Sequence, residues 1–77
     1  MGRMNYNYSK LIGRFTEVYG TQARFCKEMG ISQRSLSLKL HNKTPFKQKE
    51  ITRAAELLAI PGSEIQCYFF TLNVQNR

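Results

Sequence analysis

TQARFCKEMGISQRSLSLKLHN, the stretch from Thr21 to Asn42, decides the fold of this chain. It reads as two short helices joined by a tight turn. Gln22 to Met29 is the first, Gly30-Ile31-Ser32 the turn, and Gln33 to His41 the second. Thr21 and Ser32 each precede a helix, and each carries a side-chain oxygen that can accept a backbone N–H of the first turn. Gly30 falls where the chain must reverse through a left-handed residue, which glycine adopts at little cost. Phe25 and Met29, and again Leu36 and Leu40, are spaced i, i+4 and face inward together with Ile31. What remains outward on the second helix is Gln33, Arg34, Ser37, Leu38 and His41. That is hydrogen-bonding chemistry with one apolar contact, as the reading of base edges requires. The stretch is a helix-turn-helix pattern.

Upstream of this stretch, Asn7 is placed to cap a helix from Tyr8 to Tyr19, with Gly20 as its stop. Leu11, Phe15 and Val18 form its apolar stripe, widened by Ile12 and Tyr19, and Lys10, Arg14 and Glu17 face water. Gly13 within this helix costs up to ~1 kcal/mol relative to Ala, and close approach of a neighbouring helix is one explanation. Asn42 suits the left-handed position that ends the second helix of the pair. Pro45 keeps Thr44 out of helical geometry, so Lys43 to Phe46 is a loop. A helix from Lys47 to Ala59 follows, with Ile51, Ala54, Ala55 and Leu58 on its buried face. Lys47 and Lys49 lie in its first turn, where the macrodipole disfavours cations, a choice that suits a bound phosphate. After Ile60-Pro61-Gly62, Ser63 caps a short helix from Glu64 to Phe70, with Ile65 and Phe69 or Tyr68 inward.

At the ends, residues 1–6 read as an arm carrying Arg3, and residues 7–70 as the folded domain. In residues 71–77, Leu72 and Val74 continue the alternation begun by Phe70, the period of a short strand, which needs a partner to be stable. Two outcomes stay open: pairing with the same segment of a second copy, or closure of the core by Tyr68 to Phe70 with the rest outside it.

The 77 residues suffice for one small domain with a modest core, and 42% hydrophobic content argues against a disordered tail. Twelve Lys and Arg against five Glu and no Asp give a formal charge of +7. That balance suits a polyanionic partner. Cys26 and Cys67 have no metal-ligand spacing and read as small core residues of a protein in a reducing cytosol. The apolar runs are too short to span a membrane, and the start lacks an apolar signal core. Catalysis is not expected: no nucleophile elbow or phosphate-cradling glycine loop is present, and a Cys26–His41 dyad would need residues from distant ends of two helices. No cofactor, metal or small-molecule ligand is indicated.

Gln22, Phe25, Gly30, Ile31, Ser32, Leu36 and Leu40 resemble the Cro/CI-type phage repressor helix-turn-helix. The likeness continues through Lys43-Thr44-Pro45 and the helix with Ile51, Ala55 and Leu58. The runs NYSKLIG (Asn7–Gly13), SLSLKLHNKTPFK (Ser35–Lys47) and YFFTL (Tyr68–Leu72) resemble small prophage-encoded repressor-like proteins of low-GC Gram-positive bacteria. Cys26 stands where the pattern usually has Ala, and Asn42 where it often has Gly. The resemblance implies an all-α, compact, five-helix lambda-repressor-like domain, in the cytoplasm of a bacterial host. By position it implies base readout in the major groove by Gln33, Arg34 and Leu38, with Ser37 joining them. It implies phosphate contacts by Gln22, Ser35, His41 and Lys43, with Lys47 adding another. The expected function is a sequence-specific regulator of transcription on double-stranded DNA, working as a homodimer. The competing expectation is an antirepressor that keeps the fold and binds a repressor protein.

Overall fold

A computed structural model describes residues 5–72 of the chain. Five α-helices follow one another: α1 (Ser9–Tyr19), α2 (Gln22–Met29), α3 (Gln33–Leu40), α4 (Gln48–Leu57) and α5 (Ile65–Phe69). A 3-10 turn at Gly62–Glu64 leads into α5. No strand forms among the described residues, and the fold is all-α. Arg3 and the end of the expected tail strand, residues 73–77, lie outside them.

Helix ends fall where local chemistry places them. Thr21 Oγ1 accepts the Arg24 N–H at 3.2 Å and Ser32 Oγ the Ser35 N–H at 3.0 Å, capping α2 and α3. Gly30 closes α2 in the left-handed region, at φ 79. Asn42, at φ 63, does the same after α3. Its N–H donates to Lys39 O and that of Lys43 to Leu38 O, the paired bonds of a Schellman closure. The same motif ends α4, where Ala59 takes φ 54 and the Ile60 N–H donates to Ala55 O at 2.9 Å. An alanine held there is strained, because its Cβ crowds the following carbonyl.

The core gathers Leu11 and Phe15 of α1, Phe25 and Cys26 of α2, Leu36 of α3, Ala54 and Ala55 of α4, Leu58, Ile60 and Phe69. Phe15 and Phe25 stack with centroids 4.6 Å apart, while Tyr8, Phe46 and Phe69 meet edge to face at 5.3 Å. α2 packs against α1, α3 and α4.

Several sequence expectations change. α1 begins at Ser9, with Asn7 Oδ1 accepting the Ser9 N–H from two residues before it. Its stripe is narrower than expected: Val18 and Ile12 stay 44% and 40% exposed, and Tyr8 takes the buried place. Arg14 does not face water freely. Its guanidinium donates from Nε (3.0 Å) and Nη2 (2.8 Å) to Leu58 O, a cation on the negative end of α4. Gly13 is exposed and a Cβ there would meet nothing within 4 Å, so helix approach does not account for it. Cys67 is exposed on α5 rather than buried in the core.

The expected arm and tail meet within the chain. Tyr6 and Leu72 form an antiparallel bridge, and the Asn7 N–H donates to Thr71 O at 2.7 Å. Tyr6 also sits against the end of α3: its N–H donates to Asn42 Oδ1 (2.8 Å), and Asn42 Nδ2 donates to Tyr6 O (3.0 Å). The residue expected to close a mobile arm is thus tied at both sides.

Candidate nucleic-acid interface

The rotation of α3 is set by what it buries. Leu36 is fully buried, Leu40 is half-buried against the core, and Lys39 is 8% exposed. At about 100° per residue, these three share one side of the helix. Arg34, Leu38 and His41, at i, i+4 and i+7, fall on the opposite ridge, with Gln33 and Ser37 on the flank toward α2. Gln33, Arg34 and His41 are exposed, while Ser35, Ser37 and Leu38 are half-buried.

Of the expected base-reading and phosphate-touching residues, Arg34, Ser37, Leu38, His41 and Lys43 line one shallow depression of about 260 Å³. Gln22 joins them from α2, since its Nε2 donates to Ser37 Oγ at 3.1 Å. The Ser37 hydroxyl keeps its hydrogen to donate elsewhere. His41 Nδ1 lies 2.8 Å from Ser37 O. A carbonyl only accepts, so Nδ1 carries the proton, and Nε2 can donate to a phosphate only as imidazolium. Gln33 and Ser35 stand in the first turn of α3 on either side of Arg34, outside the depression. Lys47 is exposed and caps α4 by its backbone, as the last residue of the α3–α4 connection and outside the depression.

The charge around this face is one-sided. Between Glu28 and Glu50 the chain carries Arg34, Lys39, Lys43, Lys47 and Lys49 and no acidic residue. All but Lys39 are exposed. The first turn of α4 differs from what its two lysines suggested. Glu50 Oε1 accepts the Lys47 N–H at 2.9 Å, so the chain supplies its own anion at that helix end.

Two features escaped sequence reading. Lys39 points inward, with Nζ 3.4 Å from Glu50 Oε1 and 3.5 Å from Pro45 O. Its place beside Leu36 and Leu40, in the apolar stripe, was the available signal. The Asn42–Tyr6 pair joins residues 36 positions apart and leaves no periodic trace. Of the two groups in the dyad considered from the sequence, Cys26 is buried in the core and its thiol is pushed up by desolvation, so it stays protonated at neutral pH.

Among the described residues, no group of His, Cys and Glu is arranged to hold a metal ion, and no helix is long and apolar enough to cross a membrane.

Comparison with solved structures finds the modulator of repression (MOR) of the temperate bacteriophage TP901-1 from Lactococcus lactis. The two are 43% identical with a TM-score of 0.77, over 96% of this chain and 100% of the other. No curated protein matches this chain. The likeness is thus to a phage protein named for modulating repression. Residues 4–72 match the model of the family described as "Protein of unknown function (DUF739)", and the chain belongs to that family.

Proposed function

We propose that this protein regulates a phage repression switch by laying the outer ridge of α3 into the major groove of double-stranded DNA. One observation carries the reading: burial of Leu36 and Lys39 turns Arg34, Leu38 and His41 outward together, beside Lys43, on a face without acidic residues. Arg34 offers a guanidinium for two hydrogen bonds to a guanine, Gln33 an amide for adenine, and Leu38 a methyl contact for thymine. Ser37 is half-engaged by Gln22 and adds a hydroxyl donor. Gln22, Ser35, His41, Lys43 and Lys47 supply phosphate contacts around that ridge, which fix register without reading sequence. One such domain makes few base contacts, so two copies act on half-sites about 34 Å apart. The host cytoplasm is where such a site is met.

Selection of bound duplexes from a random pool at moderate salt, followed by titration of the selected site, tests this. With some five phosphates neutralised by cationic side chains of the two copies together, log K against log salt falls with a slope of about −4 to −5. A selection that yields no preferred sequence would falsify the base-reading role of α3. Removal of residues 72–77 tests the dimer: the truncated chain sediments with less dimer, and unchanged sedimentation excludes the tail from that contact.

The similar phage protein is called a modulator of repression rather than a repressor. That favours one second reading, a module that binds a repressor protein and alters its action. Tight, salt-insensitive binding to a repressor, together with no salt-dependent DNA binding, selects this reading over the first.

A further inference from the structure

We infer that the Lys39–Glu50 pair is a positioning device that holds the lysine-bearing α3–α4 loop in register with the reading helix, and so sets how many phosphates the domain engages. The inference rests on the DNA-reading proposal and names what governs its backbone contacts.

Lys39 lies about 140° around α3 from Arg34 and does not line the depression that Arg34 and Leu38 share. It is nonetheless almost fully buried. Its Nζ reaches Glu50 Oε1 at 3.4 Å, with the two side chains 9% and 17% exposed. The same carboxylate oxygen accepts the Lys47 N–H at 2.9 Å, and Lys39 Nζ is 3.5 Å from Pro45 O. At the other end of the loop, the Lys43 and Thr44 N–H groups both donate to Leu38 O, at 2.8 and 3.4 Å. The short connection carrying Lys43 and Lys47 is therefore tied at its start to the backbone of α3. It is tied at its end, through one ion pair, to a side chain of the same helix.

Stability alone does not call for a lysine at this place. Taking both charges out of water carries a desolvation penalty, and apolar groups of similar size commonly hold such a position as well or better. What an apolar pair lacks is a directional link from α3 to Pro45 O and to the N-terminus of α4. Geometry, more than stability, is what this pair contributes. Base readout is separable from it, because Gln33 and Arg34 hang on the Ser32 cap and the Leu36 anchor instead.

The test measures salt dependence and base preference together in the full chain. The paired variant Lys39→Met/Glu50→Gln removes both charges without stranding either one. Met keeps the apolar stem, and Gln keeps an oxygen for the Lys47 N–H. Its affinity is expected to fall on the selected duplex and on a scrambled duplex by the same factor. The slope of log K against log salt shrinks by about one to two for each bound copy, the share of its Lys43 and Lys47 at ~0.9 per phosphate. In a Lys43→Gln/Lys47→Gln background the same pair of changes leaves the slope where it was. Lys39→Arg, which keeps the cation, restores the wild-type slope. A pair that serves only folding would move the melting temperature and leave slope and preference alone, and that result overturns the proposal. A wild-type chain that binds no duplex overturns the DNA reading and the proposal together. A binding wild type whose slope is indifferent to the paired change overturns the proposal alone.

Discussion

Replacing Asn42 by glycine separates two reasons for an asparagine at the end of α3. If Asn42 served only to tolerate φ 63, Asn42→Gly would be neutral or stabilising, since glycine reaches that region with no Cβ to crowd. In the structure Asn42 also clamps the chain's N-terminal segment, accepting the Tyr6 N–H at 2.8 Å and donating to Tyr6 O at 3.0 Å. A net hydrogen bond is worth ~0.5–1.5 kcal/mol, so two amount to about 1–3 kcal/mol. Tyr6 is half-buried and water reaches part of what is lost, which places the cost in the lower half of that range. The steric relief glycine brings is offset by the larger entropy of its unfolded chain, up to ~1 kcal/mol. Asn42→Gly is therefore expected to destabilise by about 1–2 kcal/mol. For a domain of this size that lowers the melting temperature by about 5–15 °C. Thermal unfolding followed by circular dichroism measures it, and amide exchange at Tyr6 locates it. Asn42→Ala adds strain to the same loss and melts lower still. A glycine variant that melts at or above the wild type refutes the clamp.

Arg34→Ala is expected to cost ~1–3 kcal/mol on a selected duplex and to relax preference at one base pair, with the salt slope changed by no more than one contact; titration against single-base variants of the site checks it. Gly13→Ala and Ala59→Gly should each stabilise by about 0.5–1 kcal/mol, the first by filling open space inside a helix, the second by relieving φ 54. Urea unfolding of each variant decides, and a loss at either position refutes its half of the argument. Stability should fall in alkaline solution. Burial raises the Tyr8 phenol, with nearby Tyr6 adding to it, and burial raises the Cys26 thiol. The unfolded chain then loses those protons first, so the native state binds more of them and stability declines as pH climbs through the ordinary thiol and phenol ranges. Tyr8→Phe removes the later part of that decline, seen as a flatter plot of unfolding free energy against pH.

The pair α2–α3 was legible because its signals are local. Thr21, Gly30 and Ser32 act within a few residues of themselves, as Asn42 does in closing α3, and each takes the helix-end place its residue type suggests. The apolar faces of α2 and α4 were legible for the same reason. Reading failed where a residue's partner is far off in the chain. Arg14 looked like a water-facing residue because Leu58 O, its acceptor, lies 44 positions away. Lys39 looked ordinary because Glu50 is a loop and a helix turn distant. Val18 fits the helical period and still stays exposed, since periodicity names a face and not how far the neighbouring helix extends along it. For the candidate interface, the sequence put Gln33, Arg34, Ser37, Leu38 and His41 outward on α3; the last four line one depression with Lys43, and Gln33 lies outside it. The link from Gln22 to Ser37 needed α2 and α3 to be set side by side first.

The bridge between Tyr6 and Leu72 makes the backbone nearly a closed ring. A peptide linker from Leu72 to Tyr6 would therefore span little distance, and the chain could be reopened elsewhere without unthreading its helices. The exposed turn around Gly62 is a natural place to cut, away from the ridge of α3. A circularly permuted protein beginning there would keep the outer ridge of α3 while its new ends lay at that turn. The segments carrying Tyr6 and Leu72 would then be joined covalently as well as by their bridge, and Asn42 would keep its two hydrogen bonds to Tyr6 at the end of α3.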